Sequence, residues 1–251
     1  SICLLLGYGC NVPACIGCRI METQRERLLG GFVTVLIPCA ARTVVILGLV
    51  GRYIGIPAAL GLYAFDLFLV FTLGRVGFKA LPGEPVGLIM EMPPYKMPSI
   101  KTVARKTWAR TKDFVYIAFP LIIVGSLVLE ALALTGLIWM IADLMNPLVV
   151  GWLELPSITG IPIIFGVLRK ELTLILLADL AGTLNFSQVL TPVQMIVFSL
   201  VTMIYVPCIA TIAALIREFE WKKALAISII DILLALLVGG VAFRLLSYIL
   251  G

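Results

Sequence analysis

From Leu28 to Gly51 the chain runs 24 residues with Arg42 as its only charge. An α-helix rises about 1.5 Å per residue, so about 20 apolar residues cross the hydrocarbon core of a bilayer. Runs of this kind also cover 1–18, 55–78, 114–136, 158–181, 192–216 and 224–250. An eighth stretch, 137–153, is short and carries Asp143 and an Asn146-Pro147 break. In lipid every backbone polar group must be satisfied internally, so these runs are expected as helices. The fold class is therefore all-α, a polytopic integral membrane helical bundle with interrupted or re-entrant helices. With 61% hydrophobic and 13% charged residues, the composition excludes an ordinary soluble globule, a disordered chain and a collagen. Ser1 opens inside an apolar run with no signal-peptide charges, which reads as a piece of a longer membrane protein.

Positive charge orients the bundle. The stretch 79–113 holds seven Lys or Arg; Arg19, Arg25 and Arg27 form a second cluster, and Arg217, Lys222 and Lys223 a third. The positive-inside rule puts all three on the cytoplasmic side. An odd number of crossings must then separate 136 from 217, so either 137–153 also crosses or one apparent span is a hairpin. Within 79–113, the Pro- and Met-rich 85–98 cannot be a regular helix. Ser99 reads as an N-cap, and Ile100, Val103, Ala104, Thr107, Trp108 and Thr111 form one apolar stripe. That pattern predicts an amphipathic helix on the inner membrane surface, or a docking surface for a cytoplasmic domain.

Ionisable groups in hydrocarbon cost several kcal/mol and mark bundle interiors or aqueous paths. Here they are Arg42, Asp66, Asp143, Arg169, Lys170, Glu171, Asp179 and Asp231. Arg169-Lys170-Glu171 follows a Gly160 to Gly166 stretch that contains Pro162, which points to a discontinuous helix with charges at its break. Its ions also serve as structural glue if they pair with one another. Asp66 and Asp231 read either as internal hydrogen-bond acceptors or as part of a path.

Three patches combine helix breakers with cysteine: Gly7-Tyr8-Gly9-Cys10-Asn11-Val12-Pro13, Ile37-Pro38-Cys39-Ala40, and Val206-Pro207-Cys208-Ile209-Ala210. The last two share the pattern apolar-Pro-Cys-x-Ala or its close variant, a weak internal repeat accompanied by charge clusters at 19–22 and 169–171. Paired, interrupted segments in two halves point to a transport site between them. Cys39 with Thr43 and Cys208 with Thr211 are spaced to share a helix face. There is no histidine, so a metal site must use sulfur, carboxylate, hydroxyl or backbone oxygen. Sulfur with oxygen suits a borderline divalent ion such as Fe2+ and disfavours Mg2+ or Ca2+. Cys3, Cys15 and Cys18 read as packing residues. For Cys10, Cys39 and Cys208, packing remains the alternative to ligation.

These patches, with Arg25-Glu26-Arg27-Leu28-Leu29, Pro38 to Arg42, Glu91-Met92-Pro93-Pro94-Tyr95, Trp108, Lys170-Glu171 and Tyr205 to Thr211, resemble the transmembrane region of the ferrous iron transport protein B (FeoB) family. The order holds from residue 7 to about 223. The resemblance implies a multi-pass permease of the prokaryotic inner membrane that imports Fe2+ as its substrate. It implies two Gate-type, inverted repeats at 1–78 and 114–251, joined by a cytoplasmic linker at 79–113. It places Cys10, Cys39, Cys208 and Glu171 along the metal path, with Asn11, Thr43, Thr211, Asp66 and Asp179 as further lining candidates. Family members carry an N-terminal G domain that binds GTP and Mg2+; this sequence has no GxxxxGK[ST] motif, so no enzymatic activity is expected of it. The implied partners are the lipid bilayer, that G domain, small cytoplasmic accessory iron-transport proteins and further copies of the chain, with no nucleic acid. The rival reading is a Gate-type transporter of an organic solute such as a nucleoside, for which Asn11, Glu171, Asp179 and Gln194 offer hydrogen bonds.

Overall fold

Breaks, rather than unbroken spans, organise this chain. The computed structural model describes residues 2–21, 23–80, 97, 99–183, 185–205 and 207–250. The expected irregular stretch 85–98, with the Glu91 to Tyr95 motif, lies outside them apart from Met97. Among the described residues the fold is helical, with no strand.

The first segment is two short helices, α1 (Ile2–Gly7) and α2 (Asn11–Gly17), separated at Tyr8 to Cys10. The second starts cleanly at α3 (Gln24–Leu36), because the Thr23 hydroxyl accepts from the Glu26 N–H. It stops at Ile37, whose extended backbone (ψ 133°) is what a following Pro38 favours. The chain resumes as α4 (Ala40–Ile46), which runs into a π-helical turn at Leu47–Gly51. The unbroken α5 (Ile56–Ala80) follows.

The long α6 (Ile100–Leu134) alters one expectation. The amphipathic helix and the span at 114–136 are a single 35-residue helix, because nothing between Thr111 and Phe119 breaks it and Pro120 is carried inside it. Gly136, in the left-handed region at φ 73°, turns the chain into α7 (Leu137–Val149). The run 158–181 is divided into α8 (Gly160–Phe165) and α9 (Leu172–Ala181), with Gly166 to Glu171 between them, a discontinuity with charges at its break as expected.

α10 (Pro192–Ile204) opens with a reciprocal capping box between Thr191 and Gln194 and stops at an extended Tyr205 just ahead of Pro207. α11 (Ile209–Leu250) bends at Glu220, where φ is 70°. The expected spans 192–216 and 224–250 are thus redrawn: the break falls at Pro207-Cys208 inside the first, and only a kink separates it from the second.

α10 forms the centre, with Val197, Phe198 and Met203 fully enclosed and α4, α11 and the π-helical turn around it. Large apolar side chains on α5, α6 and α11, among them Phe68, Phe71, Leu127 and Leu237, face outward as lipid-contacting surface would. Among the described residues, three stretches are long and apolar enough to cross a membrane by length and composition, 24–51, 56–79 and 192–248, the last taking in both expected spans 192–216 and 224–250. The expected runs 1–18 and 158–181 do not form single spans, because breakers at 8–10 and 166–171 leave helices of only 6 to 10 residues on either side.

Candidate metal path

Three of the breaks place a cysteine at the start of the helix that follows. Cys10 is the N-cap of α2 and Cys39 the N-cap of α4, both with extended backbone, and Cys208 directly precedes α11. The two halves tie these restarts down alike. The Ala40 N–H donates to Gly9 O at 3.2 Å, and the Ile209 N–H donates to Val167 O at 3.0 Å. In both halves the first residue after a Pro-Cys break is held by a carbonyl from an earlier break. The weak repeat in the sequence is therefore a repeated backbone device. The charge clusters are not its matched feature: Arg19 bonds the buried Glu218 at 2.6 Å, whereas Arg169 pairs with neighbouring Glu171 at 3.1 Å.

The three break cysteines differ from the rest. Cys10, Cys39 and Cys208 are partly exposed, whereas Cys15 and Cys18 are sealed at 0%. Cys10 lies within electrostatic reach of both Cys39 and Cys208. Two hydroxyls contact the neighbouring cysteine residues. Thr43 Oγ1 donates to Cys39 O at 3.3 Å and accepts from the Tyr63 hydroxyl at 2.7 Å. Cys208 Sγ and Thr211 Oγ1 are 3.1 Å apart. Asn11 is buried, donates to Val35 O, and leaves its Oδ1 without a partner. Asp66 is buried with both carboxylate oxygens unpartnered.

Glu171, at the head of α9, has a side chain 41% exposed and paired with Arg169; Asp179 is exposed on α9. Among the described residues, no three Cys, Asp or Glu side chains converge closely enough to hold a metal ion.

The residues that complete the site are ones a ligand search passes over. Arg42 is 1% exposed, and its guanidinium donates to Val35 O (2.8 Å), Leu36 O (3.3 Å) and Ile37 O (3.2 Å), the open end of α3, and to Tyr205 O (3.2 Å), the open end of α10. Lys170, 3% exposed, donates to the same Tyr205 O at 3.3 Å and to Thr202 O at 3.5 Å. A broken helix leaves its last carbonyls unpaired, and cations satisfy them. The Tyr205 hydroxyl reaches back to Ile163 O at 2.7 Å, and Gly166 makes room for it. Asp231, fully buried on α11, has neither oxygen partnered. The available signal was position: Arg42 stands one turn after a Pro-Cys break.

Two family models match the chain. Ferrous iron transport protein B C terminus covers residues 59–110, and Gate, described as nucleoside recognition, covers 115–222. The Fe(2+) transporter FeoB of Methanocaldococcus jannaschii is 30% identical over 95% of this chain and 40% of its own length. The chain belongs to the ferrous iron transport protein B family. The FeoB of Staphylococcus aureus strain COL is likewise 30% identical, over 90% of this chain and 37% of its own. A Porphyromonas gingivalis Fe(2+) transport protein A/FeoB fusion protein is 35% identical over 50% of this chain and 15% of its own. The chain thus spans about 40% of the length of the FeoB relatives it matches. No solved structure matches it.

Proposed function

We propose that this chain forms the conduit through which a full-length FeoB protein passes Fe2+ across the prokaryotic inner membrane into the cytoplasm. The observation that carries this reading is the contrast among the cysteines. The three at backbone breaks are partly exposed, with Cys10 within electrostatic range of the other two, while two elsewhere are sealed. Fe2+ would exchange water for Cys10, Cys39 and Cys208 sulfur, with Asn11 Oδ1 and the Thr43 and Thr211 hydroxyls supplying oxygen. Glu171, on the rim and paired with Arg169, serves as an entry or exit carboxylate rather than a member of the cysteine group.

Passage would be gated by movement of the interrupted helices, biased by the GTP state of a G domain in the intact protein. The linker 79–113 would face the cytoplasm. The fused relative points to a small accessory iron-transport protein as partner. The reading is tested by Fe2+ uptake into proteoliposomes holding the full-length protein. The triple variant Cys10→Ser, Cys39→Ser, Cys208→Ser is expected to insert normally and lose uptake; full uptake would overturn the ligand assignment.

A further inference from the structure

The electrostatics at the centre of the bundle are arranged against their own nearest minimum. Two cations, Arg42 and Lys170, both at most 3% exposed, converge on one carbonyl, Tyr205 O. Two carboxylates, Asp66 and Asp231, both at most 1% exposed, have no hydrogen-bond partner on any of their four oxygens. Arg42 acts electrostatically on both carboxylates and Lys170 on Asp231, yet all four carboxylate oxygens are without a hydrogen-bond partner. Buried ions ordinarily pair. Here like charges share a ligand while opposite charges stand apart.

The carbonyls explain what the cations are doing. Val35, Leu36 and Ile37 end α3, and Thr202 and Tyr205 end α10; all five oxygens are spent on Arg42 or Lys170. Unwound carbonyls at discontinuous helices are the groups with which transporters coordinate cations. Cys39 and Cys208 stand immediately beyond these two ends and lie within electrostatic reach of Lys170. A divalent ion arriving at those thiols would meet two fixed positive charges and carbonyls already taken.

We propose that Arg42 and Lys170 are tethered gate cations: they fill the carbonyl ends of α3 and α10 when no cargo is present, and move onto Asp66 and Asp231 when a divalent cation takes their place. The exchange keeps the charge of the four side chains unchanged while trading two side-chain cations at the carbonyls for one cargo ion. It also makes Asp66 and Asp231 receivers of the gate rather than ligands of the metal. This inference rests on the proposed metal-conducting function.

The test uses the full-length protein in proteoliposomes, with Fe2+ uptake and, separately, the thiolate charge-transfer absorption of bound Co2+. Asp231→Asn removes the receiver of Lys170. It is expected to cut uptake by about tenfold or more while leaving the Co2+ absorption intact. Lys170→Met removes the charge that needs receiving, so Lys170→Met with Asp231→Asn is expected to transport within about twofold of Lys170→Met alone. An equal loss from Asp231→Asn in both backgrounds, or no loss in the parent, overturns the gate. Should Lys170→Met fail to insert, Asp66→Asn and Asp231→Asn in the parent decide: slowed uptake with unchanged Co2+ absorption supports the gate, and loss of both signals places the carboxylates on the metal and overturns it. Failure of the conducting reading itself looks different, since the parent protein would then show neither Fe2+ uptake nor a thiolate band.

Discussion

Gly166 lies where the break between α8 and α9 meets the end of α10. Its backbone is ordinary (φ −62°, ψ −14°), so an alanine there is opposed by space alone. A Cβ would overlap the Tyr205 hydroxyl, sit 2.5 Å from Thr173 Oγ1 and 3.1 Å from Pro162 O. Tyr205 is 6% exposed and would have to give up its 2.7 Å bond to Ile163 O with no water to replace it. Leaving that buried pair unmade costs about 1–3 kcal/mol. Overpacking adds about 1–3 kcal/mol, so Gly166→Ala is expected to destabilise by about 2–6 kcal/mol. Gly160, six residues earlier, has nothing within 4 Å of its Cβ position and helical φ and ψ. Gly160→Ala is therefore expected to be neutral or to stabilise by up to about 1 kcal/mol. Denaturant titration in mild detergent, read by tryptophan fluorescence, compares the two. Tyr205→Phe supplies the cross-check: it should cost about 1 kcal/mol in the parent and less in the Gly166→Ala background, where it removes an overlap. Equal midpoints for the two glycine variants, or strict additivity with Tyr205→Phe, would refute the reasoning.

Three further outcomes are expected. A water-soluble thiol reagent should label Cys10, Cys39 and Cys208 in single-cysteine variants and leave Cys15 and Cys18 unmodified, because the latter two have no exposed surface; mass spectrometry reads the adducts. Gly240→Ala should destabilise by about 1–3 kcal/mol, because its Cβ would fall on the Trp152 indole, 2.6 Å from Cε2, and disturb the Trp152 bond to Leu236 O. Glu218→Gln should loosen the Cys18–Ile20 turn after α2 from α11, since the carboxylate is 2% exposed and holds Arg19 at 2.6 Å; an expected loss of about 1–3 kcal/mol is read by the same titration.

The cysteine breaks were legible because proline and glycine act locally: Pro38, Pro207 and the Gly7-Tyr8-Gly9 run stop helices wherever the rest of the chain goes. The same local logic placed Thr43 and Thr211 beside their cysteines. Segment counting fared worse. The parting of 158–181 was legible in its glycines, Pro162 and the Arg169-Lys170-Glu171 charges, whereas apolar composition did not reveal that 100–134 holds one continuous helix, since hydropathy reports burial in lipid and not backbone continuity. Arg42 and Lys170 stood out as unusual charges, yet their partners are backbone carbonyls up to 163 residues away in sequence, which no spacing rule encodes. The orphaned state of Asp66 and Asp231 is likewise a property of the packed bundle. The Lys170-Glu171 motif singled out Glu171, but not its pairing with Arg169.

The claim on which the account turns is that Fe2+ is held by the thiols at three helix restarts. Iron K-edge X-ray absorption of the Fe2+-loaded full-length protein, compared with the Cys10→Ser, Cys39→Ser, Cys208→Ser variant, measures this directly. A sulfur shell around iron that disappears in the variant is the predicted result. An oxygen-only shell in the parent, or a sulfur shell that survives the triple substitution, would contradict it.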